Sequence, residues 1–316
     1  MTTTTAPTTP KVKARPGDRW FSGTALAAGS MILVTLAAVA IFLIVQSIPG
    51  LTATSEDASI LSASGNFWAY VGPLVFGTVW ASVLALVMAV PLAVAVALFI
   101  SHYAPRRLAQ GLGYVVDLLA AVPSVVFGLW GILVLAPAVQ PVYAWLNTYM
   151  GWFPLFGGTV SSTGRTIFTA AIVLAVMVVP IITAICREIF LQTPVLHEEA
   201  ALALGATRWE MVRMAVFPFA RSGIVSASML GLGRALGETM AVAMVLSISG
   251  RITFQLFTSE NPGTIPANIA LSFPEAYGLN INVLIATGLI LFVVTFAVNA
   301  VARWIVSRRK EFSGAN

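Results

Sequence analysis

The 316-residue chain is 58% hydrophobic and 9% charged, with a mean hydropathy of +0.91; soluble globular chains carry about 25% charged residues, so a soluble domain is excluded. The formal net charge of +5 is spread over the ends of apolar runs, as in the loops of a membrane protein, not gathered on one face as in a nucleic-acid binder. Cys186 is the single cysteine, which rules out an internal disulfide. His102 and His197 are far apart and read as loop residues, so no metal-ligand spacing exists.

A membrane span needs about 20 apolar residues. Six stretches qualify, near 23–48, 72–101, 113–137, 166–186, 223–249 and 281–306, so the chain reads as all-α and polytopic. Residues 1–20 begin with a Thr- and Pro-rich run and read as a disordered tail carrying Lys11, Lys13, Arg15 and Arg19. The apolar run that follows is longer than the roughly 7–15-residue core of a signal peptide, so it is a retained helix. With its outer loop it forms a segment over 21–70. A core follows over 71–306, with a long polar loop at 187–222, and a tail over 307–316.

Basic residues alternate loop by loop. Arg106 and Arg107 sit on the same side as the first tail, as do Arg187, Arg208, Arg213 and Arg221, and then Arg303, Arg308, Arg309 and Lys310. The intervening loops hold Glu56 and Asp57, a single Arg165, and Arg251 against Glu260 and Glu275. The excess of Lys and Arg on the inner side puts both termini in the cytoplasm. Outer loop 138–165 is aromatic, with Tyr143, Trp145, Tyr149, Trp152, Phe153 and Phe156. It reads either as an interfacial belt or as a landing surface for an external partner. Loop 250–280, with Pro262, Pro266 and Pro274, reads as a short surface or re-entrant helix. Asp117 falls near the start of the third helix, where the helix dipole favours a carboxylate.

Loop 187–222 reads as two short helices. Thr193-Pro194 starts the first, with Pro at its first position, and Gly205 ends it. Thr207-Arg-Trp-Glu210 is a capping box that starts the second, and Pro218 ends that helix or kinks the start of the fifth span. No nucleophile stands with a base. The chain's lysines are Lys11, Lys13 and Lys310, so no GxxxxGK[ST] phosphate loop exists. The chain is therefore not itself an ATPase and binds no cofactor of its own. The run Glu199-Ala200-Ala201, with Gly205 four residues later and Pro218 beyond, resembles the EAA loop of ABC importer permeases. Ala215 and Phe217 depart from that pattern. The resemblance implies a helix that docks into a separate ATPase, with ATP and magnesium held there.

The fifth span reads Gly231-Leu-Gly233-Arg234-Ala-Leu-Gly237-Glu238-Thr239. An Arg at a span centre costs roughly 2.5–3.5 kcal/mol. Spacing of i, i+4 places Glu238 on the same helix face as Arg234. The pair is read either as structural glue or as part of a solute path, with the planar guanidinium suited to tetrahedral oxyanions. Gly233 and Gly237 form GxxxG, a close-packing signature.

The run GRALGET, together with Pro123-Ser-Val-Val-Phe-Gly-Leu-Trp130, resembles the phosphate-specific permeases of ABC importers, and the first, C-type, of their two paired subunits. Thr239 stands where sulfate and molybdate permeases commonly have an aromatic residue. The resemblance covers about residues 70–305. It implies a type I ABC importer permease (MetI-like) fold in a bacterial inner membrane, and alternating access that moves inorganic phosphate inward. It also implies partners: a second homologous permease as heterodimer, two ATPases, an extracytoplasmic phosphate-binding protein and membrane lipid, with no nucleic acid. Arg234, Glu238 and Thr239 match the substrate path, and Glu199, Ala200, Ala201 and Gly205 the ATPase coupling. Two rivals remain: a permease for sulfate, molybdate or tungstate, and an ion-driven transporter or channel. The second would leave the EAA-like loop without a purpose.

Overall fold

The described residues form twelve α-helices, and they follow from runs of apolar residues cut by Gly and Pro. The computed structural model describes residues 16–310. Helix α1 is Pro16–Leu51 and α2 is Phe67–Leu98, the latter extended by a π-helical turn over Phe99–Tyr103. An amphipathic α3 covers Arg106–Ala120. Then come α4 (Ser124–Trp130), a π-turn (Gly131–Leu135) and α5 (Ala136–Met150), which form one rod. Helix α6 is Ile167–Leu191, α7 Val195–Ala203 and α8 Arg208–Met211. Helix α9 is Phe217–Leu236, α10 Met240–Val245, α11 Ile265–Ser272 and α12 Leu279–Lys310. Among the described residues six helices are long and apolar enough to cross a membrane: Trp20–Leu51, Phe67–Tyr103, Ser124–Met150, Ile167–Leu191, Arg208–Leu236 and Leu279–Trp304. Residues 1–15 of the expected tail, and 311–316 of the final one, lie outside the described residues. Residues 16–20, expected in the tail, are already the first turns of α1, and 307–310 still belong to α12.

Without a hydrophobic driving force in lipid, helices associate through close packing of small residues. Helix α2 does this with Ala81, Ala85, Ala89, Ala93 and Ala97, each at most 1% exposed. Their i+4 spacing makes one stripe against α6, and Thr183 Oγ1 of α6 donates to the Ala93 carbonyl at 3.4 Å. Thr78 and Ser82, also buried on α2, return their hydroxyls to the Leu74 and Thr78 carbonyls, as polar groups in an apolar medium must. Helix α6 in turn packs on α9. Helix α1 instead lies along α12, where Asn282 Nδ2 donates to the Gln46 carbonyl at 2.8 Å.

The third span starts later than the expected 113. Pro123 disfavours helix at the residue before it, so α3 ends at Ala120 and a turn intervenes before Ser124. Asp117 thus sits near the end of α3, where the dipole opposes an anion. Its nearby cation is Arg187 of α6, at 3.9 Å, and Arg187 also binds Glu188 at 2.9 Å. The dipole explanation of Asp117 is replaced by this ion pair. His102 is not a loop residue either. It ends the π-turn after α2 with an 8% exposed side chain, Nδ1 2.7 Å from Ser101 Oγ and Nε2 3.4 Å from Glu198 Oε1 of α7.

The end of the molecule opposite α7 is closed by loops. Asn261, fully buried, accepts from the Ile167 N–H at 3.0 Å, so it caps α6, and its amide donates to the Arg165 and Ser247 carbonyls. Arg165 donates to the Met244 and Leu246 carbonyls at the end of α10. Residues 261–267 are all buried, and the Ile265 N–H at the start of α11 donates to Thr78 Oγ1. Helix α11 is therefore packed into the molecule, not laid on its surface. The aromatic loop divides. Tyr143 is buried, stacked on Phe257 and bonded to Thr169, and Phe156 stacks on the same ring. Trp145, Tyr149 and Trp152 stay exposed.

Candidate functional site

The fifth span is not one helix. It runs unbroken through α8, a π-turn at Val212–Val216 and α9, then stops at Leu236 and restarts as α10 at Met240. Pro218 lies at the start of α9. It does not end the preceding helix, because the π-turn just before it absorbs the missing backbone donor. The break falls on Gly237-Glu238-Thr239. Gly237 caps α9 with its N–H on the Gly233 carbonyl at 3.2 Å, and Thr239 Oγ1 donates to the Gly237 carbonyl at 3.2 Å.

This break changes the relation of the two charges. The i, i+4 argument assumed a continuous helix, but among the described residues no ion pair joins Arg234 to Glu238 within 4 Å. Glu238, 9% exposed, turns back and accepts the Ala241 N–H of α10 at 3.0 Å. Its carboxylate meets the positive end of α10, while Arg234 lies in the last turn of α9, at that helix's negative end. Each charge is thus stabilised by a half-helix terminus rather than by the other. Broken helices with such termini are a recurrent device of transporters.

Arg234 is exposed and lines a cleft of about 770 Å³ between α6, α9 and α12. Gly233 lines the same cleft, and nothing lies within 4 Å of where its Cβ would be. Gly237 would meet only the Gly233 carbonyl. Among the described residues the GxxxG face therefore packs on nothing, which leaves it open to a neighbour outside this chain. The glycines of α9 that pack on α6 are Gly223, where a Cβ would fall 2.6 Å from Ile189, and Gly231, about 200° round the helix from Gly233 at 100° per residue, where a Cβ would fall 2.7 Å from Val178 and Ile182. Composition alone could not say which glycines faced the neighbour. A similar close approach explains Gly128 of the PSVVFGLW run. A Cβ there would stand 2.9 Å from the Ala241 Cα, so α4 buttresses the short α10.

The α7 end carries the second candidate surface. Thr207 and Glu210 form the expected reciprocal capping box, with Thr207 N–H on Glu210 Oε2 at 2.8 Å and Glu210 N–H on Thr207 Oγ1 at 3.3 Å. Gly205 takes φ +86° between α7 and α8, a left-handed conformation that costs other residues roughly 1–2 kcal/mol. Pro194 stands at the N-cap of α7, one place earlier than expected. Glu199, Ala200 and Gly205 are exposed, and Ala201 packs partly on the core. Val195, Leu196 and Leu204 are exposed too, Leu204 by 90%. Sequence reading passed over three features: the alanine stripe, Asn261 and the His102–Glu198 contact. The stripe was legible as alanines four apart; the other two join residues roughly a hundred positions distant.

Six spans with a broken fifth helix and a projecting helical turn define the permease of a type I ABC importer, the MetI-like fold. The solved structure of a bacterial ABC transporter involved in the import of the acidic polysaccharide alginate has this fold, with a TM-score of 0.62 over 92% of this chain and 96% of that one at 17% identity. Residues 89–311 match the family described as binding-protein-dependent transport system inner membrane component, and the chain belongs to that family. Relatives include the phosphate transport system permease protein PstC 2 of Mycobacterium tuberculosis, 48% identical over 308 residues and 92% of both chains. The phosphate transport system permease protein PstC of Mycobacterium leprae is 45% identical over 279 residues, covering 85% of this chain and 87% of that one. That of Mesorhizobium japonicum is 39% identical over 308 residues, covering 94% and 92%.

Proposed function

We propose that the chain is the C-type permease subunit of an ATP-driven importer that moves inorganic phosphate into the cytoplasm. The observation that carries the reading is Arg234: a guanidinium in a membrane helix, facing a cleft, with no carboxylate within 4 Å among the described residues. Intramembrane charges that face a cavity mark solute pathways, and the planar donors of Arg234 match a tetrahedral oxyanion. Relatives that are 39–48% identical and bear phosphate-permease names support phosphate over sulfate, molybdate or tungstate.

In this reading both termini and α7 face the cytoplasm. A second homologous permease completes the path. Two ATPases, which hold the ATP and magnesium, dock on α7, where exposed Leu196 and Leu204 supply apolar contact and Glu199, Ala200, Ala201 and Gly205 shape the turn. An external phosphate-binding protein delivers substrate. Movement of α7 passes along the unbroken rod of α8 and α9 to the break, so that Arg234 is offered alternately to the two sides. Glu238 holds the break, and Thr239 trims it. The test is uptake of labelled phosphate by the reconstituted importer, with sulfate and molybdate as competitors. Arg234→Ala abolishes uptake while the complex still co-purifies; normal uptake by that variant refutes the path, and equal competition by sulfate refutes the substrate.

A further inference from the structure

The cleft that holds Arg234 has a second basic wall. Its lining from α9 includes Ser226, Gly233 and Arg234, and from α12 Asn299, Ala302 and Arg303. At 1.5 Å per residue, Ser226 lies about 12 Å along α9 from Arg234, toward the α7 end. Helix α12 runs the opposite way and brings Arg303 from its last turns. No Asp or Glu lines the cleft. Neither guanidinium has a carboxylate within 4 Å among the described residues. The Asn299 amide makes no hydrogen bond there either, whereas the Ser226 hydroxyl is occupied, donating to the Ser222 carbonyl at 2.9 Å. The wall is therefore made of donors. Each guanidinium has five N–H groups and the amide two, with no carboxylate to accept them. Both guanidiniums are exposed and line the cleft, and charges that face a cavity between membrane helices mark the route of a counter-ion.

We infer that Arg303 and Asn299 of α12 form, beyond Arg234, a second anion station at the α7 end of the cleft, which takes a phosphate-type oxyanion. The station rests on the phosphate-import reading and extends it. An anion leaving Arg234 meets Arg303 before it reaches bulk water, so release proceeds by handover between two forks. The same chemistry is presented by a free phosphate and by the headgroup of an anionic phospholipid.

The native thiol allows a direct test, because Cys186 is fully buried. Ser226→Cys places a reporter in the cleft of the complete importer, reconstituted in vesicles of phosphatidylcholine alone or mixed with phosphatidylglycerol. The rate at which an impermeant thiol reagent modifies this subunit from the α7 side is followed with and without inorganic phosphate. Phosphate slows modification in both vesicle types if the ion itself occupies the station. Slowing by phosphatidylglycerol alone, with no effect of phosphate, assigns it to a lipid headgroup. In either case Arg303→Gln raises the concentration needed for protection about tenfold, the scale of one lost charge-assisted hydrogen bond, and Arg303→Lys restores part of it because the charge remains without the fork. Modification indifferent to both anions, or protection unchanged in Arg303→Gln, overturns the station. Uptake by Arg234→Gln separates the two claims: lost uptake with unchanged protection in Arg303→Gln leaves the path and removes the station, while retained uptake removes the path itself.

Discussion

Substitution of Glu238 distinguishes a capping carboxylate from the partner of Arg234. In Glu238→Ala the Ala241 N–H loses its acceptor, now 3.0 Å away, and α10 loses the negative charge at its positive end. A side-chain cap contributes about 0.5–2 kcal/mol, and a charge at a helix terminus about 0.3–1 kcal/mol, more when partly buried. Helix α10 has six residues, far below the length at which a helix stands alone, so the loss falls on the packing of α10 against α4. The sum is about 1–3 kcal/mol. Glu238→Gln keeps an acceptor oxygen at the same reach and forfeits only the charge, about 0.3–1 kcal/mol. Thermal unfolding of the purified importer in detergent reads the difference. At roughly 2–4 °C per kcal/mol for a large chain, the alanine variant unfolds several degrees below the glutamine variant. Labelled phosphate uptake follows the same order, with Glu238→Gln retaining much of the activity. If Gln is as damaging as Ala in both assays, the carboxylate acts through its charge on Arg234 and the capping account is wrong.

Gly205→Ala must place a Cβ at φ +86°, which costs roughly 1–2 kcal/mol; stimulated ATPase and co-purification of the ATPase fall, and Gly205→Asn, which tolerates that region, is milder. Ala89→Leu inserts three carbons into the α2–α6 contact, where Ala89 has no exposed surface. Overpacking of this kind costs typically 1–3 kcal/mol, so yield and melting temperature drop, whereas Leu at the exposed Val87 leaves both unchanged.

The number of spans was legible from the chain because lipid leaves a backbone little choice: about 20 apolar residues must become a helix. The capping box at Thr207 and the turn at Gly205 were legible because both are local, decided within four residues. The third span was misplaced by eleven residues because α3 is amphipathic and apolar enough in part to extend the run, and only Pro123 divides them. The partner of the GxxxG face was not legible because a helix shows its glycines but not its neighbour. Arg234 and Glu238 were found at once, since charge in an apolar stretch stands out, yet their relation was not. Spacing alone presumes an unbroken helix. The break at Gly237 depends on Gly128 admitting α10 against α4, on Asn261 and Arg165 holding the far ends, and on the Glu238 carboxylate turning to the Ala241 N–H. Composition and order thus determined which residues are chemically exceptional. Tertiary packing decided that one of the two charges caps a helix and the other faces the cleft, because only contacts between distant segments set where a helix stops.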